Sequence, residues 1–585
     1  MTYEQQIGSI LLADCGTAMT KVVLLNRVGE QYRFVACGEA PTTAEAPWFD
    51  VSAGIIHAAE EISAVTGWSF FDGGGNLICP ELVNRQGVDA FAATTSASQP
   101  LQVVVGGLVQ DMSVAAAERA AAGTYSLVKA ILSSESRGVL KEEDIVHIIH
   151  DAAPDAICIA GGVEGGAVMP VLELVKICSL ACALIDPESR PALLYAGNSQ
   201  LRQRIVKIVG DRASLRAVEN VHPSLAEENL LNAQTELDAL YLKKMGTLPG
   251  IETVSDWSLT PLAPTARAFG RLTEYLWHLG DPSKGVLGID VGAANTTMAA
   301  VFDKQLFLTV RSGLGVAFGG EQLLQRQGVE SITRWLPEPM SDEEAHELLI
   351  NKEMRPTSIP QVQRELWLEQ ALAREAIRTT LGVARPGWKA GAAQPYPHLL
   401  PLCDTILVSG GVLAHAPRPG QAALIVLDAL QPTGVTTLVL DEYGLAPLLG
   451  SVAAIKPLAA VDVLDSGGFV NLATVVTPVA GHARRGDTIL KIRMTYDDGS
   501  SFSVEVHYGD LEVLPLLPGQ QATLELHPLR RFDVGLGGPG KGGKRHVNGG
   551  LAGLIIDARG RPLRISGKPE RRQTQMQQWR WDVGG

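Results

Sequence analysis

At 585 residues the chain is too long for a single hydrophobic core and predicts roughly three or four domains. A hydrophobic content of 46% with 19% charged residues excludes a disordered chain, and 61 glycines predict many tight turns or close backbone approaches. The net charge of −14 is uneven: residues 466–585 hold 16 Lys+Arg against 11 Asp+Glu, so an acidic body carries a mildly basic tail, which argues against nucleic acid as a partner of the whole chain.

The opening MTYEQQIGSILLADCG has no basic flank before its apolar run and carries Glu4 and Asp14. It does not read as a secretory signal. No stretch reaches the roughly 18 uninterrupted apolar residues of a membrane span. The seven cysteines are scattered and form no CxxC pair, which suggests neither a disulfide framework nor a zinc site. A cytoplasmic location is expected.

Residues 8–26 read strand, turn, strand: GSILLAD, then CGTAMT, then KVVLLN. Residues 98–215 alternate strands and helices, with strands in LQVVVGGL, DAICIAGG and PALLYAGN and helical runs in SVAAAERAAAGTYSLVKAIL and VMPVLELVKICSLACAL. That alternation predicts an inserted doubly wound α/β domain with a parallel sheet. Its pairs Gly161-Gly162 and Gly165-Gly166 close a βα turn that could accept an anion. Residues 216–280 read as a helical connector. A second strand-turn-strand unit, GVLGID-VGAANT-TMAAVFD, opens residues 281–465, which continue to the strand and Gly-Gly of TILVSGGVLAHAP. From Ser466 the texture becomes β-branched segments separated by DDGS, YGD and PGQ, predicting an antiparallel β domain that ends in a polar, loosely held tail.

The chemistry concentrates in the repeated unit. Aligned, the two hairpins share D-x-G-x-x-x-T: Asp14, Gly16 and Thr20 match Asp290, Gly292 and Thr296. A glycine in such a turn lets backbone amides approach a phosphate. Thr17, Thr20 and Lys21 in the first unit, and Asn295, Thr296 and Thr297 in the second, add donors. Asp14 and Asp290 at the strand ends suit Mg²⁺, which keeps its waters and takes few carboxylates. Gly410 and Gly411 follow an apolar strand, where flat backbone could lie against a base or ribose. The segment from Gly535 to Gly542 fits G-x-x-x-x-G-K but lacks the Ser or Thr and the following helix of a phosphate loop, so it reads as a glycine-rich hairpin loop.

The series GGLVQDMSVAAAERAAAGTYSLV, PDAICIAGGVEGG, LLYAGN, ENVHPSLAEENLLNAQTEL, GIDVGAANTTMAAVF, RSGLGVAFGG and VSGGVLAHAP resembles the MutL/GlmL family, accessory proteins of adenosylcobalamin-dependent glutamate mutase, over about residues 8–460. The resemblance implies an actin-like ATPase (ASKHA) fold: duplicated ribonuclease-H-like lobes at 1–97 and 281–465, the inserted α/β domain between them, and the C-terminal β domain at 466–585. It implies ATP and Mg²⁺ as cofactors. Asp14 and Asp290 would be catalytic and metal-holding, and Gly16, Thr17, Thr20, Lys21, Gly292, Asn295, Thr296, Thr297, Gly410 and Gly411 would bind the nucleotide. The implied function is a chaperone-like reactivating accessory whose partner is a protein client such as a cobalamin-dependent mutase. This chain has Met298 where the family carries an acidic residue after the Thr pair, which bears on hydrolysis more than on binding. A small-molecule kinase of the same fold and a non-hydrolysing nucleotide-binding scaffold are the alternatives.

Overall fold

A computed structural model describes residues 7–133 and 141–584 of the chain. Residues 1–6, on which the reading against a secretory signal partly rests, lie outside the described residues.

Two sheets repeat one plan. In the first, the strands order as Gln31–Pro41, Met19–Val28, Ser9–Cys15, Ala90–Thr95 and Ala263–Pro264. The second begins Gln305–Ser312, Asn295–Phe302, Gly285–Val291, Cys403–Ser409 and Gly434–Leu440. In each, the first three strands along the chain form an antiparallel meander and the next two join in parallel beside its founding strand. The registers correspond as well: Asp14 faces Lys21 and Cys15 faces Thr20, while Asp290 faces Thr297 and Val291 faces Thr296. Up to their aspartates the founding strands are apolar and buried (Ile10, Leu11, Leu12; Leu287, Ile289), as expected of a strand covered on both faces.

The inserted unit is a five-stranded parallel sheet in the order Ser126–Ser133, Leu101–Gly107, Ala156–Ile159, Ala192–Tyr195, Ser214–Ala217. One sequence expectation is corrected here. The run SVAAAERAAAGTYSLVKAIL is not one helix: helix Ala115–Ala121 stops, and Ser126–Ser133 is a strand. Gly123 and Thr124 break the helix, and a segment rich in Val, Ile and Leu beside an open sheet edge pairs as a strand despite its helix-forming Lys and Ala.

The connector supplies helices Leu231–Met245, Ile251–Trp257 and Thr265–Leu279. Thr265–Leu279 crosses helix Leu445–Val452 of the second lobe, so closely that a Cβ on Gly450 would lie 1.9 Å from the Ala268 carbonyl oxygen. Only glycine lets the two helix backbones approach to that extent.

The region after Ser466 divides between two sheets. Ser501–His507, Thr488–Tyr496, Gln521–Pro528 and Gly543–Asn548 make the expected antiparallel sheet, whereas Val470–Thr477, Leu554–Asp557 and Leu511–Leu514 extend the second lobe's sheet to eight strands. The Gly535–Gly542 segment leads into strand Gly543–Asn548, not into a helix. The tail read as loosely held is a docked helix, Pro569–Asp582, with Met576 and Trp579 in the second lobe's core. Beneath it lies a buried ion network. Arg559 bonds Asp557 and Asp428, Arg374 bonds Asp428 at 2.9 Å, and Arg561 bonds Asp557 at 2.7 Å. The Arg559 guanidinium also lies 4.4 Å from the Trp579 ring centroid. A polar composition hid this docking because its charges are satisfied by burial against partners, which composition cannot show.

Candidate functional site

Both aspartate hairpins close in the same way. The Gly16 amide donates to the Met19 carbonyl at 3.0 Å, and the Gly292 amide to the Asn295 carbonyl at 2.9 Å. The amides at the turn tips, those of Thr17 and Ala18 and of Ala293 and Ala294, have no partner among the described residues. Each turn therefore offers backbone N–H groups at the end of a rigid strand pair, an arrangement that suits an anion.

The two hairpins converge through their aspartates. Asp14 accepts hydrogen bonds from Thr94 Oγ1 and Thr265 Oγ1, both at 2.7 Å. Asp290 lies beside Ser409 in the parallel ladder. A third carboxylate, Asp441, follows strand Gly434–Leu440 and is fully buried. It accepts from the Leu445 amide at 2.7 Å, the Ala446 amide at 2.9 Å and Ser409 Oγ at 3.0 Å.

Burial pushes the Asp290 carboxyl up to about 7, and the negative charges of Asp14 and Asp441 push it the same way against the pull of Lys21 and the Ser409 hydroxyl. Burial likewise raises Asp14 and Asp441, opposed by their hydrogen bonds and by Lys21. Burial works against the Lys21 ammonium, yet Glu39, 3.0 Å away, with Asp441 and Asp14 keeps its pKa above the ordinary lysine value. The site thus gathers three carboxylates around one ammonium, an excess of negative charge in a poorly solvated place. Asp14, Asp290 and Asp441 are the residues that could hold a divalent cation. Among the described residues no group of three acidic, His or Cys side chains is placed to hold a metal ion by itself.

The other sequence-predicted residues fall into two groups. Lys21 reaches the carboxylates, and Thr297 stands opposite Asp290. Thr20, Thr296 and Thr17 have committed hydroxyls: Thr20 Oγ1 to Thr42 Oγ1 at 3.0 Å, Thr296 Oγ1 to the Leu314 carbonyl at 2.7 Å, and Thr17 Oγ1 to the Ser96 carbonyl at 3.3 Å. Thr20 and Thr296 are fully buried, so they brace their hairpins. Gly410, at φ +102°, lies so close to Val291 that a Cβ would sit 2.2 Å from the Val291 carbonyl oxygen, whereas Gly411 faces open space. The Gly-Gly pair therefore adjoins the second hairpin, with one glycine fitted to protein and one turned outward.

Sequence reasoning missed Asp441, Thr94, Thr265 and Ser409. Asp441 had a signal, an acidic residue at the carboxyl end of a parallel strand, where open α/β sheets bind ligands. Thr94 and Thr265 had none, because only the folded chain brings them to Asp14.

The family model described as MutL protein matches residues 10–467. Protein MutL of Clostridium tetanomorphum is 24% identical over 363 residues, covering 56% of this chain and 74% of that protein. Among solved structures, a glycerol dehydratase reactivase is 10% identical, with 76% of this chain and 99% of that chain covered and a TM-score of 0.30. Gluconate kinase from Lactobacillus acidophilus is also 10% identical, with 77% and 92% covered and a TM-score of 0.30. No helix among the described residues is long and apolar enough to cross a membrane. With more than three-quarters of its length matched by one family model, the chain belongs to the MutL protein family.

Proposed function

We propose that the chain binds MgATP between its two hairpin-bearing lobes and serves as a chaperone-like accessory to a protein client, an adenosylcobalamin-dependent mutase such as glutamate mutase being the foremost candidate. One observation carries the reading: two hairpins far apart in sequence bring Asp14 and Asp290 within each other's electrostatic reach, with free turn amides beside them. The turn amides and Lys21 would hold phosphate oxygens, and Asp14 and Asp290 would hold Mg²⁺ through its water shell. The metal's chemistry there is to neutralise charge on the phosphates.

Asp290, beside the Mg²⁺ it would help hold, would orient an attacking water. Thr94 and Thr265 fix the Asp14 carboxylate so that little reorganisation is needed. Helix Thr265–Leu279 begins at an Asp14 partner and crosses Leu445–Val452, whose first amides bind Asp441. Nucleotide-dependent movement of the carboxylates would thereby reach the contact between lobes.

Calorimetric titration with ATP and ADP in the presence of Mg²⁺ tests binding, and phosphate release with and without a cobalamin-dependent mutase tests function. Asp290→Ala is expected to abolish turnover while retaining nucleotide binding. Unchanged turnover in that variant would remove the second hairpin from the mechanism. Nucleotide binding with no turnover in the wild-type chain would favour a scaffold, a reading to which the apolar, fully buried Met298 after the Thr pair lends weight.

A further inference from the structure

A cavity of about 520 Å³ opens in the second lobe where three helical segments meet. They are Glu330–Thr333 with the Arg334 that follows it, Gln363–Ala384, and the docked C-terminal helix Pro569–Asp582. The cavity shares no lining residue with either aspartate hairpin. Each segment contributes one guanidinium to it, from Arg334, Arg378 and Arg572. Arginine keeps its charge at any ordinary pH, so three of them around one space call for counter-charge.

The protein supplies part of that counter-charge. Arg334 and Arg378 share one buried carboxylate, Glu375, and both donate to its Oε1, Arg378 at 3.2 Å. The Trp335 indole N–H donates to the same oxygen at 2.5 Å. The guanidinium carbons of Arg334, Arg374 and Arg378 stand 5.2, 5.7 and 5.7 Å from the Trp335 ring centroid, so three like charges crowd one indole. Arg374 is answered by Asp428, which it shares with Arg559. Arg572 has no ion pair or side-chain hydrogen bond among the described residues. Neither has Arg580, about two turns further along the same helix and 9% exposed. The other acidic residue of the lining, Glu330, is exposed, where solvent and salt screen its charge.

The donors left over suit a phosphate group. The Nε–H of Arg334 is buried and has no acceptor among the described residues, a costly state for a charged donor. Thr379 Oγ1 accepts from Gln327 Nε2 at 3.1 Å and can turn its own hydrogen toward a ligand. Arg572 adds a whole guanidinium fork. Such forks match phosphate oxygens in pairs, and a doubly charged group answers more than one of them. A cavity of this size holds a small molecule rather than a bare ion.

We infer that this cavity binds a small phosphorylated molecule, whose phosphate lies among Arg334, Arg378 and Arg572. Of these three, Arg572 alone comes from the C-terminal helix, so the ligand ties that helix to the second lobe. The site is independent of the proposed nucleotide site.

The test titrates the full chain with inorganic pyrophosphate in EDTA at low ionic strength, followed by calorimetry. Saturable binding is expected, weakening as salt is added. Arg572→Ala removes a side chain that has no partner to lose. It should weaken binding about tenfold or more while leaving the melting temperature and the MgATP titration as in wild type. Glu330→Gln should tighten binding about twofold, since it removes a screened like charge. Citrate, similar in charge but without phosphate geometry, should bind about tenfold more weakly. Pyrophosphate should slow thermolysin cleavage of the C-terminal helix in wild type and not in Arg572→Ala.

Absence of saturable heat, equal binding by Arg572→Ala, or citrate binding as tightly as pyrophosphate would each overturn the assignment. Loss of pyrophosphate binding in Lys21→Ala with retention in Arg572→Ala would place the ligand at the hairpins and overturn it as well. Equal thermolysin cleavage with and without pyrophosphate would overturn the tie to the C-terminal helix. A chain that binds pyrophosphate in the expected pattern but takes no MgATP upholds this site and removes the nucleotide reading alone.

Discussion

Replacing Asp290 with Asn removes one carboxylate from the three-aspartate centre while keeping a group that Ser409 can hydrogen-bond. The folded wild-type chain holds the Asp290 proton until about pH 7, whereas the unfolded chain releases it near 3.8. Stability from the protonated form is therefore complete below the unfolded value and is lost as pH rises through the folded one. The full difference corresponds to roughly 4 kcal/mol against the ionised form, and partial hydration at the strand end reduces it to about 2 kcal/mol. The variant escapes this loss. It should match wild type near pH 4 and become more stable between pH 5 and pH 8, by a midpoint shift of about 2 °C at the upper end. Thermal unfolding of nucleotide-free protein across that range, in a buffer of fixed ionic strength, measures the shift. A difference in midpoint that stays constant with pH, or a variant less stable than wild type at pH 8, would refute the convergence of Asp14, Asp290 and Asp441 on which the site rests.

Thr265→Val deletes one hydrogen bond to Asp14 and should weaken MgATP binding about tenfold at pH 7, read by calorimetry, with little change in melting temperature. Asp441→Ala strips the acceptor from two buried amides and the Ser409 hydroxyl and should cost about 2–4 kcal/mol in urea unfolding, much more than Asp441→Asn. Gly450→Val places its Cβ against the Ala268 carbonyl oxygen, so loss of about 3 kcal/mol or more, or failure to fold, is expected by circular dichroism; a wild-type melt would refute the close helix crossing. Arg559→Leu leaves Asp428 and Asp557 buried without their shared partner and should destabilise the chain by about 3–5 kcal/mol, with earlier proteolysis of the C-terminal helix.

The sequence by itself determined what is local and repeated. Two D-x-G turns between apolar strands marked the hairpins around Gly16 and Gly292 because a strand-turn-strand needs only neighbouring residues to form. The alternation of strands and helices over 98–215 exposed the parallel unit for the same reason, although the propensities of Ala and Lys concealed the strand at Ser126–Ser133. Tertiary structure alone decided the rest. Thr265 reaches Asp14 across 251 residues, Asp441 joins Asp290 through Ser409, and the polar tail docks because Arg559 meets Asp428, 131 residues away. Such contacts depend on burial and charge created when distant segments meet, and no window of sequence carries those quantities. The same distinction sorts the threonines: the motif named Thr20 and Thr296 as ligand groups, but only packing shows that their hydroxyls are already committed within the protein.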